Sequence, residues 1–155
     1  MGVSAEIRHA TLDDVEMIAP LLRQADKDEI EAASGLTPRT ALELSLRLCD
    51  EPVIGFMDGQ PASIWGVNTG CFVQNRGVPW MLGTPLLDRY PKTWLPIAAA
   101  ILKDMRDRYT LLENYVDARN KKSIRWLKRL GFQFEKAQPY GVHGLHFHKF
   151  WIEGE

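Results

Sequence analysis

Acidic and phenolic side chains alternate along one short stretch near the end of the chain. Glu113, Tyr115 and Asp117 are spaced two residues apart in the segment LLENYVD. Side chains two apart in a β-strand lie on one face, so this spacing predicts a carboxylate beside a phenol, which could serve proton transfer. Partly solvated polar groups at a strand edge are the alternative interpretation.

A helix with clear end signals follows this strand. Asn120 is predicted to cap the N-terminus, because its side-chain oxygen can accept a free backbone N–H of the first turn. Gly131 is predicted to end the helix, since a left-handed residue is least costly without a Cβ. Asn120 could also contact a cofactor, although its capping role already accounts for it.

Three further helices are predicted upstream from capping residues and apolar periodicity. Thr11, Thr37 and Thr93 are their predicted N-caps, and Pro20 predicts a kink in the first of them. The acidic run 26–31 is placed between the first two helices, where it is either a rim for a cationic group or a solvated helix end.

Strands are predicted from short β-branched and aromatic runs. Asp58-Gly59 predicts a hairpin turn between two strands within 53–67, and further strands are predicted at 5–9, 78–84, 111–116 and 145–152. Segment 85–92 is predicted to be a loop. The resulting order is β-α-α-β-β-β-α-β-α-β-β, an α/β (α+β) domain with a mixed central sheet and helices on both faces.

Composition limits the classes of function. The chain has 155 residues and a net charge of −1, which predicts a single domain over 1–155 and makes nucleic acid an unfavoured partner. No apolar run is long enough to span a membrane, and no signal peptide is visible, so the expected location is the cytoplasm. Cys49 and Cys71 have no motif around them and fit free thiols.

The strand and helix together carry a family resemblance. Val116, Asn120, Ser123, Gly131 and Phe132 match a V-x-x-x-N, small, G-F spacing. This pattern resembles the C-terminal motif of the GNAT N-acetyltransferase superfamily. The segments WMLGT, LLENYVDARN and SIRWLKRLGF also resemble the internal virion protein A family of short-tailed phages, whose members look GNAT-like.

The GNAT resemblance implies an activity and a set of site residues. It implies transfer of an acetyl group from acetyl-CoA to an amine, with Glu113, Tyr115 and Asn120 as catalytic candidates. No metal is implied. The implied cofactor-binding positions are Leu82, Gly83, Thr84, Arg89, Lys92, Thr93, Asn120, Lys122 and Ser123.

Two features depart from the GNAT pattern. The segment expected to bind pyrophosphate, 85–93, contains no glycine, and its two prolines remove backbone donors. Leu127 stands where many members have the tyrosine that protonates the leaving group.

Charged groups near these positions have alternative interpretations. Lys121 and Lys122 oppose the helix macrodipole, which indicates an anion nearby, such as a CoA phosphate or an acidic partner; a solvated basic face is the alternative. His146 and His148 share a strand face, but no third residue has convincing spacing for a zinc site.

Two functions are therefore expected from the sequence. One is an acetyl-CoA-dependent N-acetyltransferase, for which an open slot between the fourth and fifth strands is predicted. The other is a GNAT-like phage or prophage protein that has lost catalysis and binds a virion or host protein, with the possibility of virion association. A dimer through the C-terminal strands is compatible with either.

Overall fold

The computed structural model describes residues 4–69 and 75–155. Strand β1 (Ala5–His9) is followed by the helices α1 (Asp13–Ile18), α2 (Gln24–Ser34) and α3 (Pro38–Arg47). Next come the strands β2 (Val53–Met57), β3 (Gln60–Asn68) and β4 (Arg76–Gly83). The second half contains α4 (Pro85–Arg89), α5 (Pro91–Arg108), β5 (Leu111–Asp117), α6 (Lys121–Leu130), β6 (Gln133–Phe134), β7 (Gln138–Tyr140) and β8 (Leu145–Glu153).

The strands form one mixed sheet in the order β1-β2-β3-β4-β5-β8-β6, with β7 also paired to β8. Every described pairing is antiparallel except that of β4 with β5, which is parallel. This parallel pairing covers only Arg76 with Leu111 and Gly77 with Leu112. Beyond these two positions β4 and β5 no longer pair with each other, although β4 still pairs with β3 and β5 with β8. The two strands therefore diverge and leave a slot in the middle of the sheet.

Helices cover both faces of the sheet, as predicted. Ile54 and Ile64 pack with α1, α2 and α3 on one face. Trp65, the neighbour of Ile64, points to the other face and packs with α5 and α6. Strand β3 is buried on both faces because it lies inside a sheet that helices sandwich.

The first predicted helix is shorter than expected, and Pro20 does not kink it. Helix α1 ends at Ile18, and a 3₁₀ turn over Ala19–Leu21 separates it from α2. Proline cannot donate the backbone hydrogen bond that would continue the α-helix. The acidic run 26–31 therefore lies within α2 and not between helices.

The prediction of a loop at 85–92 was wrong. Pro85 and Pro91 are the first residues of α4 and α5, a position where the missing N–H of proline has no helical partner to lose. Thr84, and not Thr93, provides a side-chain cap: its Oγ1 accepts from the backbone N–H of Leu86 at 3.3 Å. Thr93 lies inside the first turn of α5.

Several local predictions were confirmed. Asn120 caps α6 through its Oδ1, which accepts from the backbone N–H of Ser123 at 3.3 Å, and Gly131 ends α6 at φ 99°. Asp58 and Gly59 form the β2–β3 turn at φ 47° and 78°. Cys49 is partly buried, and Cys71 lies outside the described residues.

Within residues 4–69 and 75–155, no helix is both long and apolar enough to cross a membrane.

Candidate active site

The slot between β4 and β5 is closed at its narrow end by Asn114. Its side-chain Nδ2 donates to the backbone oxygen of Pro79 on β4 at 2.8 Å. Its Oδ1 accepts from the backbone N–H of Tyr115 on its own strand at 2.8 Å. One side chain thus takes the place of the next backbone pairing, and the strands separate beyond it.

The wall that β4 presents to the slot carries an unpaired peptide edge at Met81. Met81 lies opposite Trp65 in the antiparallel ladder with β3, between Pro79 and Gly83. Backbone groups alternate in direction along a strand, and those of Pro79 and Gly83 bond away from β3. The N–H and C=O of Met81 therefore face the slot, where an amide-containing ligand could pair with them.

A cavity of about 170 Å³ lies in the slot and extends beneath α5 and α6. Its walls come from the two separated strands and from the inner faces of both helices. Most of them are apolar, including Leu82, Trp94, Ile97, Ala98, Leu127 and Leu130. An extended chain with an apolar body fits this lining better than a charged group does.

Two buried tryptophans contribute to the walls of this cavity. Trp65 and Trp94 are 5% and 2% exposed, and their indole rings lie edge to face at 6.4 Å. Neither Nε1 has a hydrogen-bond partner among the residues that the structure describes, and both atoms are buried away from the open space. An unpaired buried donor is costly, so both indole N–H groups lower the stability of the fold.

Glu29 of α2 stands at the open end of the slot. Its Oε1 accepts from the edge backbone N–H of Asp117 on β5 at 2.8 Å and from the Nδ2 of Asn120 at 3.3 Å. Burial raises the pKa of the Glu29 carboxyl to about 7, and the nearby Asp26 and Asp117 carboxylates act in the same direction. Glu29 is also one of the residues that line the cavity.

A second carboxylate of α2, that of Asp26, contacts β4 on the other side of the slot. Asp26 is 1% exposed, and its Oδ2 accepts from the backbone N–H of Gly83 on β4 at 2.8 Å. Asn120 links both acids, because its Nδ2 also donates to the Oδ1 of Asp26 at 3.2 Å. Helix α2 therefore contacts both edges of the slot.

Arg23 binds two carboxylates at the open end of the slot. Its guanidinium bonds Asp26 at 2.9–3.1 Å, Asp88 of α4 at 2.8 Å and the Ser123 hydroxyl of α6 at 3.3 Å. Lys122 also reaches Asp88, at 3.3 Å. Of the two lysines at the start of α6, Lys122 thus has an anionic partner within the chain itself. We call Arg23, Asp26, Asp88, Asn120 and Lys122 the Arg23 cluster.

The other cofactor-binding candidates are divided between the cavity and the surface. Leu82 and Ser123 line the cavity, and Gly83 and Thr84 end β4 beside it. Arg89 and Lys92 are exposed, and none of the described ion pairs includes them. Thr93 is partly buried in α5.

Among the predicted catalytic residues, Glu113 is not brought to the slot. Its carboxylate pairs with Lys149 at 3.2 Å and with Arg76 at 3.6 Å, and it does not line the cavity. Glu113 and Tyr115 share one face of β5 with Lys149, which lies opposite Tyr115 on β8 and binds the Glu113 carboxylate.

Tyr115 does line the cavity, with 37% of its surface exposed. It stacks on Tyr140 of β7 with 4.0 Å between ring centroids.

Asp117 is bound by Arg119. Burial acts against ionisation of the Asp117 carboxyl, but the Arg119 side chain and backbone N–H hold its pKa below the ordinary value. Leu127 lines the cavity, so that position faces the slot without a proton to donate.

Two of the histidines near the end of the chain bind different protein groups. His143 bonds the Glu31 carboxylate at 2.8 Å, and the Nδ1 of His148 contacts the backbone oxygen of Glu135 at 2.8 Å. No group of three or more histidine, cysteine or acidic side chains among residues 4–69 and 75–155 could hold a metal.

The sequence predictions missed Arg23, and they included Asp26 and Glu29 only as members of an acidic run between two helices. A signal was present: the three residues are spaced three apart, which places them on one face of a helix. That spacing is informative only if 24–34 is recognised as one helix.

Comparison with known proteins identifies the fold. No family model and no curated protein matches the chain. Among solved structures, a GNAT-family acetyltransferase from Streptococcus pneumoniae has a TM-score of 0.67 at 14% identity, covering 98% of this chain and 100% of that one. Ribosomal-protein-alanine N-acetyltransferase from Brucella melitensis has a TM-score of 0.71 at 16% identity, with 96% and 99% covered.

RimL, a ribosomal L7/L12 α-N-protein acetyltransferase solved in complex with coenzyme A, has a TM-score of 0.70 at 12% identity and covers 97% of this chain and 94% of its own. At such low identities the likeness concerns the fold. The chain therefore has the fold of the GNAT acyl-CoA N-acyltransferases.

Proposed function

We propose that the chain is an N-acyltransferase that moves an acyl group from a pantetheine thioester to an amine, with acetyl-CoA as the first donor to test. The observation that carries the proposal is the slot. The strands β4 and β5 pair at only two positions, and the space beyond is lined by a free peptide edge and apolar side chains. An extended thioester arm would lie along this edge.

The thioester supplies an electrophilic carbonyl carbon, and the chain's own residues would manage the protons. An amine attacks only in its neutral form, so a base must take the proton of the ammonium or of the attacking nitrogen. Glu29 suits this role, since a base with a pKa of about 7 is half ionised near neutral pH.

Tyr115 is the candidate acid for the leaving thiolate. It lines the same cavity as Glu29, and its stacking on Tyr140 fixes the plane of its ring. In the proposed transfer, the C–N bond forms and the C–S bond breaks. The amine proton goes to Glu29, and the thiolate takes a proton from Tyr115.

A cavity-filling variant tests the donor site. Ala98 lines the cavity, whereas Ala99, one residue along α5, is exposed. Ala98→Phe should weaken acetyl-CoA binding at least about tenfold in titration calorimetry, a loss of about 1.4 kcal/mol. Ala99→Phe is the matched control and should bind as the wild type does. Equal binding by both variants, or no binding by the wild type, would contradict the proposal.

A second candidate is a GNAT-fold protein without catalysis, acting in phage virion assembly or on a host protein. The Arg23 cluster favours it, because an internal ion-pair network stands where GNAT enzymes are expected to hold pyrophosphate. The same titration separates the two candidates, since the binding protein should show no saturable heat with acetyl-CoA.

A further inference from the structure

In segment 83–87, where β4 ends and α4 begins, every backbone N–H is already bonded within the chain. The N–H of Gly83 is bound by Asp26 at 2.8 Å, and that of Thr84 by the Ala62 oxygen at 2.9 Å. Pro85 has no N–H. Those of Leu86 and Leu87 are bound to Thr84, at 3.3 and 3.0 Å. An anion at this segment would therefore have to displace existing bonds.

The charges of the Arg23 cluster are already balanced. Its two cations, Arg23 and Lys122, contact Asp88, and Arg23 also holds Asp26. If Arg23 turned toward a phosphate, the buried Asp26 carboxylate would lose the cation that it is paired with, which is strongly unfavourable. If Arg23 stayed, a pyrophosphate would meet the Asp88 carboxylate instead.

The cavity, unlike the Arg23 cluster, suits an uncharged ligand. It is mainly apolar, and the backbone of Met81 faces it from β4. A pantetheine arm carries amide groups on a flexible aliphatic chain and no charge. Its amides suit the strand edge, and its aliphatic part suits the apolar walls.

We infer that the chain recognises its donor through the acyl-pantetheine arm alone, so that the nucleotide phosphates of CoA add no net affinity. This inference rests on the proposed acyltransferase function and specifies which part of the donor is bound. The substrate class is any acyl thioester of pantetheine, whether or not it carries a nucleotide.

Calorimetric titration of wild-type protein with acetyl-CoA and with S-acetylpantetheine, both in 0.15 M salt, tests the inference. The two dissociation constants should agree within about tenfold. If acetyl-CoA binds more than about tenfold tighter, the inference is overturned while the proposed function stands. If neither compound binds, the proposed function itself fails.

A charge variant provides a second test. Asp88→Asn removes one repulsive carboxylate and releases Lys122, so acetyl-CoA should bind about fivefold tighter, as expected for one charge in a partly solvated site. S-acetylpantetheine should bind as before. Asp104→Asn, an exposed acid on α5 with a side chain 69% exposed, is the control and should change neither constant. Unchanged or weaker acetyl-CoA binding by Asp88→Asn would contradict the inference.

Discussion

Replacing Glu29 with glutamine should stabilise the protein at alkaline pH. In the folded chain, burial raises the pKa of this carboxyl from 4.5 to about 7. The folded state therefore retains a proton that the unfolded chain releases between these pH values. Stability contributed by the protonated form is complete below about pH 4.5, falls as the pH rises through 7, and is then lost.

The size of the effect follows from this pKa difference. At about 1.4 kcal/mol per pH unit, the interval from 4.5 to about 7 corresponds to at most about 3.5 kcal/mol. Glutamine is neutral at every pH and keeps an oxygen to accept from the Asp117 N–H. Glu29→Gln should therefore unfold with a free energy about 1–3 kcal/mol higher than wild type at pH 8, and within about 1 kcal/mol of it at pH 5.

Urea unfolding followed by circular dichroism at both pH values measures this difference. Glu6→Gln removes an exposed carboxylate of β1 and serves as the control, with no expected change at either pH. If Glu29→Gln is no more stable than wild type at pH 8, the carboxyl is not held against ionisation, and its role as a base tuned to neutral pH is refuted.

Two further substitutions test the packing of α2 around the slot. Arg23→Met should lower the free energy of unfolding by about 3–5 kcal/mol, because it leaves Asp26 buried without its cation. Urea unfolding checks it, and a loss under about 1 kcal/mol would mean that the ion pair is not buried. Gly141→Ala should cost several kilocalories per mole, because the new Cβ would lie 2.2 Å from the Ala32 oxygen at a φ of 79°. Gly144→Ala, at φ 64° with open space around it, should cost only about 1 kcal/mol. Thermal melting of both glycine variants compares them, and equal losses would show that the β7–β8 turn does not rest on α2.

The sequence allowed the prediction of elements whose ends are set by local chemistry. Asn120 and Gly131 bound α6 as expected, since a side-chain cap and a left-handed glycine act on the adjacent turns only. The Asp58-Gly59 turn is equally local. Segment 85–92 was predicted to be a loop, although proline is well accommodated at a first helical position, where Pro85 and Pro91 lie.

The charged part of the site could not be predicted because its contacts join distant residues. Arg23 and Asp88 are 65 positions apart, and Glu29 and Asp117 are 88 apart. No local spacing encodes these pairs; they follow from how α2 crosses the open end of the slot. The pKa of Glu29 has the same origin, because its burial depends on β5 and α6.

A crystal structure of the protein with S-acetylpantetheine would show whether the slot between β4 and β5 is the donor site. We expect electron density for the arm between Pro79–Leu82 and Asn114–Val116, with an amide paired to Met81 and the thioester near Glu29. Density for the arm elsewhere, or a slot without it at a saturating concentration, would contradict the assignment of the slot as the donor site.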